Sequence, residues 1–536
     1  MIGSIADSPL YKIANPGSIA FFGASNNTSA MGSSILNSVL ALGFEGPIYP
    51  VHPKEKQVQG LGAFASVGDL PEAPDLAVLV LPTGIVTETL DACGEKGIRH
   101  AVVVSGGFTE VGGDGPRLQQ ELVAVARKHG IRFLGPNCIG VVNPGHLLNS
   151  TFLPYDARPG FIGMASQSGS FITQMFAYLK RYGLGFSTGF SVGNEADIDL
   201  VDCLHYLADC PRTRVIGLYI ESIRRGRAFI EAARAIVPHK PIVAFYVGGS
   251  EAGRRAGFSH TGALAGPDRL YTGIFRQSGV IRAHSIAELF DFCWVLGTCP
   301  ATTGDDIIIQ THSGGPGAVA ADACSRAGLR LPEIDAGTRK RMKPFVPHTG
   351  SFGNPIDLTF TRNPMDYYLK IPEILLESPA CHGVLSYFLV PDKTVRQSLE
   401  QMGVAPDQAA AETEKLLDSL TQTIAALPEK HHKPYIGFSF RDRSDLFTRK
   451  LQDSGVPILP DPTRAARAMA ALSAYRQLKE KIERSESCLA PRRQGAKKNK
   501  SRFYCAIAQC RIRFRPFSVA DKMCFSPSLR LGVLAR

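Results

Sequence analysis

The chain has 536 residues, more than one hydrophobic core can hold, since single cores stop growing at about 250–300 residues; about three domains are expected. Apolar residues make up 44% and charged residues 20%, which excludes wholesale disorder. The formal net charge of +11 would suggest a polyanion partner, but residues 489–536 alone hold twelve Lys or Arg against one acid, Asp521, so the body is near neutral and nucleic-acid binding is not expected.

The first residues, "MIGSIADSPLYKIANPGS", lack a basic segment followed by a continuous apolar run, and no stretch approaches 18 apolar residues, so neither export nor a membrane span is expected. From Ser18 to about Asn143, apolar runs alternate with helix-period segments: "SIAFFGA", "PIYPVHP", "LAVLVLP", "HAVVVSGG" and "IRFLGPN" are strand candidates. Between the last two, "PRLQQELVAVARKHG" opens on Pro116, repeats apolar residues at Leu118, Leu122 and Val125, and closes on Gly130, which predicts an amphipathic crossover helix. Five such strands imply an α/β doubly wound parallel sheet with a ligand crevice at the strands' carboxyl ends.

The pattern restarts twice. "GFIGMASQSGSFITQMFAYLKRYG" (160–183) reads as strand, small-residue turn and helix, followed by strands in "GFSVGN", "VIGLYIES" and "PIVAFYVGG". "DDIIIQTHSGGPGAVAADACSRAGL" (305–329) repeats the same opening about 145 residues later, with "GVLSYFLV" and "PYIGFSF" as strands. Two further related α/β domains are therefore expected, with a boundary in "GTCPATTGDD" (297–306). The expected division is 1–148, 149–300, 301–480 and a basic tail, 481–536, which begins in a charged helix and is expected to be a disordered extension or a gene-model artefact. Cys505 and Cys510 in that tail lack the paired spacing and histidines of a zinc site; no metal site is expected, and the twelve scattered cysteines are no disulfide framework, which fits a reducing cytoplasm.

At the end of the first strand, Gly23, Ala24 and Ser25 form a tight turn before a helix, a place where backbone can approach a phosphate. The dinucleotide fingerprint G-x-G-x-x-G is absent, because the next glycine is Gly32, and an NAD-dependent oxidoreductase is disfavoured. Lys54 ends the second strand, and Ser105 and Gly106 in "VSGGFTE" (104–110) end the fourth at the same crevice, so a phosphate-bearing cofactor larger than a simple anion is the natural occupant. In "GFSHTGALAG" (257–266), His260 stands among small residues with no cysteine or carboxylate beside it. A neutral imidazole is a good nucleophile toward an activated phosphoryl group, and phosphohistidine readily hands that group on.

Together "SIAFFGAS", "GPIYPVHPK", "VVVSGGFTE", "FLGPNCIGVVN", "SQSGSF", "SVGNEADID" and above all "EAGRRAGFSHTGALAG" resemble, in order over roughly residues 10–475, the α part of NDP-forming acyl-CoA synthetases, the ADP-forming acetate–CoA ligase group related to succinyl-CoA synthetase. The resemblance implies a Rossmann-like CoA-binding domain followed by two flavodoxin-like CoA-ligase domains. It implies CoA at Gly23, Ala24, Ser25, Lys54, Ser105 and Gly106. It also implies phosphate at the helix N-terminus opened by Ser166, Gln167, Ser168 and Gly169, with Asn137 close by, where free N–H groups favour anions.

By the same resemblance His260 exchanges phosphate between an acyl phosphate and ADP, and Glu221 orients its ring through the second nitrogen. His52 and Tyr246 depart from the family pattern, which often has asparagine and a basic residue at those positions. Completing the reaction requires ATP and Mg²⁺ on an ATP-grasp partner, as subunit or domain, for which this sequence has no room; carboxylic acid, phosphate and CoA are the small-molecule partners, and an oligomer is implied. The competing reading is a CoA- or acyl-CoA-binding regulatory or acyltransferase-associated protein without ligase activity of its own.

Overall fold

The computed structural model describes residues 4–253, 266–359, 363, 365–389 and 392–496. The first sheet is built from β1 (Ile19–Phe22), β2 (Ile48–Val51), β3 (Leu76–Leu79), β4 (His100–Val103) and β5 (Arg132–Leu134), all parallel and ordered β2-β1-β3-β4-β5. β1 and β3 are buried at every residue, as expected of parallel strands covered on both faces, which is why they read as continuous apolar runs. A single parallel bridge from Val51 to Phe64 adds a rudimentary member outside β2. With it, the arrangement follows the Rossmann strand order, and the crossovers reverse between β1 and β3, the point at which such sheets bind ligands. The crossover helices are α1 (Met31–Leu42), α2 (Thr83–Lys96) and α3 (Gly115–His129). α3 carries Pro116 in its first turn and closes on Gly130 at φ +65°, as the sequence pattern predicts.

The second sheet contains β6 (Val141–Asn143), β7 (Leu148–Asn149), β8 (Ile162–Ser166), β9 (Phe186–Ser191), β10 (Val215–Ile220), β11 (Ile242–Tyr246) and β12 (Ile281–Ala283) in the order β12-β11-β10-β8-β9-β6-β7. β8 to β12 are parallel in a flavodoxin-like order; β6 runs antiparallel to β9. The expected boundary at 148/149 falls inside this crossover. β6 and β7 follow the first sheet in sequence but pair with the second, where β6 covers what would be the open edge of β9.

The third sheet repeats the flavodoxin-like order with β13 (Ile307–Thr311), β14 (Ile356–Asp357), β15 (Gly383–Tyr387), β16 (Tyr435–Phe438) and β17 (Ile458–Leu459) arranged β14-β13-β15-β16-β17, all parallel. Its opening helix is Gly314–Arg326, and that of the second sheet is α4 (Gly169–Arg181).

The three sheets are not independent beads. One core cluster runs from Ile19 and Phe21 of the first to Leu204 and Ile216 of the second, and another from Ile162 and Trp294 of the second to Ile307 and Leu385 of the third. Asn143 donates to the carbonyl of Ala14 at 2.8 Å, and Arg464 clasps Asp291 through two bonds of 2.7 Å. The last helix spans Pro462–Ala496. Of the expected basic tail, 481–536, residues 497–536 lie outside the described residues.

Candidate active site

The first sheet presents its carboxyl edge as two pinned loops. Gly23 sits at φ +89°, and a Cβ there would lie 1.9 Å from the carbonyl oxygen of Val80, so only glycine lets the turn after β1 pass this close to β3. Gly32, in α1, would place a Cβ 2.1 Å from the Gly23 carbonyl; it allows the close helix–strand approach that a fingerprint glycine usually provides. Ala24 is buried, and Ser25 is held through its backbone: its N–H donates to Ser33 Oγ at 3.0 Å and its carbonyl accepts from Gln59 Nε2 at 2.7 Å. Lys54 is exposed, in a turn whose N–H groups at Lys54 and Glu55 donate to Nδ1 of His52, at 3.2 and 2.9 Å. His52 therefore caps that turn as an acceptor.

The second loop follows β4. Ser105 is buried and its hydroxyl accepts from the N–H of Leu81 at 2.9 Å, joining β3 to β4 beyond the sheet. The N–H groups of Gly107 and Phe108 donate to Oε1 of Glu110, at 2.6 and 3.2 Å. A Cβ on Gly106 would lie 3.1 Å from the same oxygen and 3.5 Å from Oδ1 of Asn137, so Gly106 lets this loop lie against Asn137.

Across from these loops lies the N-terminus of α4. Ser166, wholly buried at the end of β8, donates its hydroxyl to the carbonyl of Ser168 at 2.7 Å and folds the turn; Ser168, the N-cap, makes no side-chain cap bond. The first N–H groups of the helix are therefore not taken up by its cap, the condition under which an N-terminus holds an anion. A cleft of about 430 Å³ opens between the two sets of elements, lined by Ser105, Gly106 and Asn137 on one side, by Gln167, Gly169 and Ser170 on the other, and by the apolar Met31 and Phe152. Of the expected site residues, the structure gathers Ser105, Gly106, Asn137, Gln167 and Gly169 in one cavity. Gly23, Ala24 and Ser25 stand behind its Val80 wall, Ser166 and Ser168 shape its turn, and Lys54 does not line it.

Glu221 closes β10 on the same edge of the second sheet, one residue beyond Ile220. Its N–H and that of Ser222 donate to Oε1 of Gln167, at 2.6 and 2.9 Å, while Gln167 Nε2 donates to the carbonyl of Ser222 at 2.9 Å and to Oε2 of Glu195 at 2.7 Å. The amide of Gln167 is thus committed at both ends. Arg225 bonds Asp199 and Asp202, and Arg224 reaches the carbonyl of Glu195 at 2.8 Å.

Sequence reasoning missed Asn194 and Glu195. Both are more than nine-tenths buried, and Glu195 holds φ +51°, an uncommon conformation for a residue with a side chain. Burial pushes the Glu195 carboxyl up to about 7, against the opposing pull of the Gln167 amide, Arg224 and the N–H of Leu200. The only signal in the sequence was the motif "SVGNEADID" itself; an acid among small residues at a strand end reads as surface.

His260 lies in the segment 254–265, outside the described residues. Both flanks of that segment are described. It leaves after Gly253, just past β11, and returns at Gly266, whose carbonyl accepts from the hydroxyl of Tyr246 at 2.7 Å; Tyr246 in turn stacks on Tyr271 with ring centroids 3.6 Å apart. Tyr246 therefore anchors one flank of the histidine segment to the sheet.

Among known proteins, residues 17–144 match a CoA binding domain, residues 159–296 a succinyl-CoA ligase like flavodoxin domain, and residues 307–411 a ligase-CoA domain. The chain is 34% identical over 479 residues to the α subunit of ADP-forming acetate–CoA ligase I from Pyrococcus furiosus, covering 88% of this chain and 99% of that one. It is 35% identical over 470 residues to ADP-forming acetate–CoA ligase I from Archaeoglobus fulgidus, covering 88% of this chain but 64% of that longer one. Its fold matches a solved structure of the dinucleotide forming acetyl-coenzyme A synthetase 1 of Ca. Korarchaeum cryptofilum, in complex with phosphate and ADP, with a TM-score of 0.77 at 32% identity over 89% of this chain and 98% of that one. No helix among the described residues is long and apolar enough to cross a membrane. The chain belongs to the ADP-forming acyl-CoA ligase family as an α-type chain, a CoA-binding domain followed by two ligase domains.

Proposed function

We propose that this chain joins a carboxylic acid to CoA through an acyl phosphate, with His260 carrying the phosphoryl group to and from an ATP-grasp partner that binds ATP or ADP and Mg²⁺. The observation that carries this reading is the single cleft shared by the carboxyl edge of the CoA-binding sheet and the open N-terminus of α4. In it, a CoA thiol delivered past Ser105 and Gly106 meets an acyl phosphate whose phosphate rests on the N–H groups of Gly169 and Ser170, with Asn137 alongside. Thiol attack at the acyl carbon releases inorganic phosphate and leaves the thioester. In the phosphoryl-transfer step, a neutral ring nitrogen of His260 takes the phosphoryl group while Glu221 holds the other nitrogen and fixes the tautomer. Five residues lie between His260 and Gly266, so the six backbone steps allow the His260 Cα to lie at most about 22 Å from that anchor.

The acyl group is a small carboxylic acid. That the chain covers almost the whole of an α subunit from P. furiosus supports placing the ATP-grasp module on a partner. A purely regulatory CoA-binding role is not favoured, since the relatives are ligases. The test is labelling from γ-³²P-ATP with the ATP-grasp chain supplied: acid-labile, base-stable phosphate is expected on the wild type and none on His260→Asn. A His260→Asn chain that still turned over would refute the proposal.

A further inference from the structure

The turn Gly193-Asn194-Glu195 lies between the two halves of the cleft, and its two polar side chains point in opposite senses. Toward the first domain, Asn194 Nδ2 donates to Oε2 of Glu110 at 2.5 Å and to Gln119 Oε1 at 3.1 Å, while its Oδ1 accepts from Asn137 Nδ2 at 3.3 Å. Glu110 is the residue that gathers the N–H groups of Gly107 and Phe108. Toward the second domain, Glu195 accepts from Gln167, and Gln167 accepts from the N–H groups of Glu221 and Ser222.

The result is one unbroken chain of hydrogen bonds: loop 107–108, Glu110, Asn194, then through one backbone step Glu195, Gln167 and the 221–222 turn. Gly193, Asn137 and Gln167 of this chain line the cleft directly. The turn itself has no slack. Gly193 is at φ +54°, with a Cβ position 2.3 Å from the carbonyl of Pro136, and the N–H of Asn194 donates to that same carbonyl at 2.9 Å. The Glu195 carboxylate is also committed on its other oxygen, which accepts from the N–H of Leu200 at 2.9 Å.

Asn194, Glu195 and Gln167, the middle of this chain, are buried, and breaking a bond there leaves a desolvated partner without compensation, so the chain holds the two sites in a single register. We propose that Asn194 and Glu195 are positioning residues that set the Glu221 turn by the state of the 104–108 loop, so that filling the CoA half of the cleft is felt at the turn that presents Glu221. This rests on the reading that CoA occupies the cleft beside Ser105 and Gly106. The physical basis is a coupling between two places on one protein, which a contiguous run of hydrogen-bonded groups can carry.

The experiment is hydrogen exchange on the full chain, with and without saturating CoA, followed in peptides covering 104–108 and 219–224. In the wild type, CoA is expected to slow exchange in both segments. In Asn194→Ala and in Glu195→Ala, protection at 104–108 is expected to persist, which also reports a folded, CoA-binding protein, while the added protection at 219–224 falls to less than a third of the wild-type value. Glu195→Gln keeps the shape and one acceptor, and an intermediate response is expected from it.

Unchanged protection at 219–224 in both alanine variants would overturn the proposal, as would a wild type in which CoA protects 104–108 alone. Loss of protection at both segments in Asn194→Ala would make Asn194 part of the CoA loop only, and would equally overturn it. If CoA protected neither segment of the wild type, the CoA reading would fall first and this inference with it; labelling of His260 reports on the phosphoryl-transfer reading separately.

Discussion

The second and third sheets open with the same device and use it differently. After β8, the Ser166 hydroxyl donates to the Ser168 carbonyl at 2.7 Å; after β13, the Thr311 hydroxyl donates to the Ser313 carbonyl at 2.8 Å. Each turn leads into a helix of 13 residues whose serine N-cap makes no side-chain cap bond. The difference lies in what faces the helix end. At Gly169 it is the cleft, with Asn137 and the loop of the first sheet. At Gly314 it is an acid: a Cβ there would lie 3.3 Å from Oδ2 of Asp357. A carboxylate thus stands beside the start of the third-domain helix, so an added anion would meet like charge there.

The residue after the strand diverges in the same way. Gln167 is a node of amide bonds that ends on the buried Glu195, whereas His312 is clasped by rings, 4.7 Å from Tyr387 and 5.0 Å from Tyr367. The lesson is that a helix N-terminus is only a permissive feature. What surrounds it decides whether it stays open to a cleft or becomes a packed joint.

The largest expected effect that sharpens this contrast is a pH dependence of stability carried by Glu195. Its carboxyl is raised by burial from the ordinary 4.5 to about 7. A raised acid stabilises the fold fully below its unfolded value and loses that contribution as pH climbs through the folded one. Between pH 4.5 and pH 8 the wild type should therefore lose roughly 3 kcal/mol relative to Glu195→Gln, which carries no titrating group at that position. The comparison is the midpoint of thermal unfolding of the two proteins across that range; parallel curves would show that burial does not raise the Glu195 carboxyl.

Next in size is a glycine pair. A methyl at Gly169 would come within 2.6 Å of Cγ1 of Ile139, which lines the same cleft, whereas at Gly314 the nearest atom is the Asp357 oxygen at 3.3 Å. Gly169→Ala should push Ile139 into the cleft and weaken CoA binding about tenfold. Gly314→Ala should leave it unchanged. Calorimetric titration of CoA into both variants decides the matter, and equal affinities would mean that the two helix ends are not distinguished by the cleft.

Much of this contrast was legible in the sequence, and the illegible part has a physical cause. β1, β3 and β4 announce themselves as unbroken apolar runs because both of their faces are covered, and Pro116 and Gly130 mark α3 because each has a backbone reason to stand where it does. The repeat of Ser166 to Gly169 in Thr311 to Gly314 gave away two related sheets. Ser105, Gly106, Asn137, Gln167 and Gly169 were identified as site residues, and the structure brings them to one cleft. By contrast, β6 and the first residue of β7 were placed with the first domain because nothing local tells a strand which sheet it will join. Asn194 and Glu195 went unassigned because their burial is created by Glu110 and Gln167, 84 and 28 residues away in sequence. The commitment of the Gln167 amide at both ends is equally non-local, as is the service of Tyr246 as an anchor for Gly266.

The smallest effect tests the third sheet on its own terms and has the opposite sign to that of Glu195. Burial pushes the His312 imidazole below its ordinary value of 6.5, with Asp357 pulling weakly the other way. A depressed base contributes stability while it is neutral and loses that contribution as pH falls, because the unfolded chain takes up the proton more readily. His312→Phe keeps the stack on Tyr387 and removes the proton, so its unfolding midpoint should fall less than that of the wild type between pH 7.5 and pH 5.5. The difference should be smaller than for Glu195, since His312 is only partly buried. CoA affinity should not change, because His312 does not line the cleft. A loss of CoA binding in His312→Phe would mean that the third turn still serves a ligand, and the division of labour between the two turns would have to be abandoned.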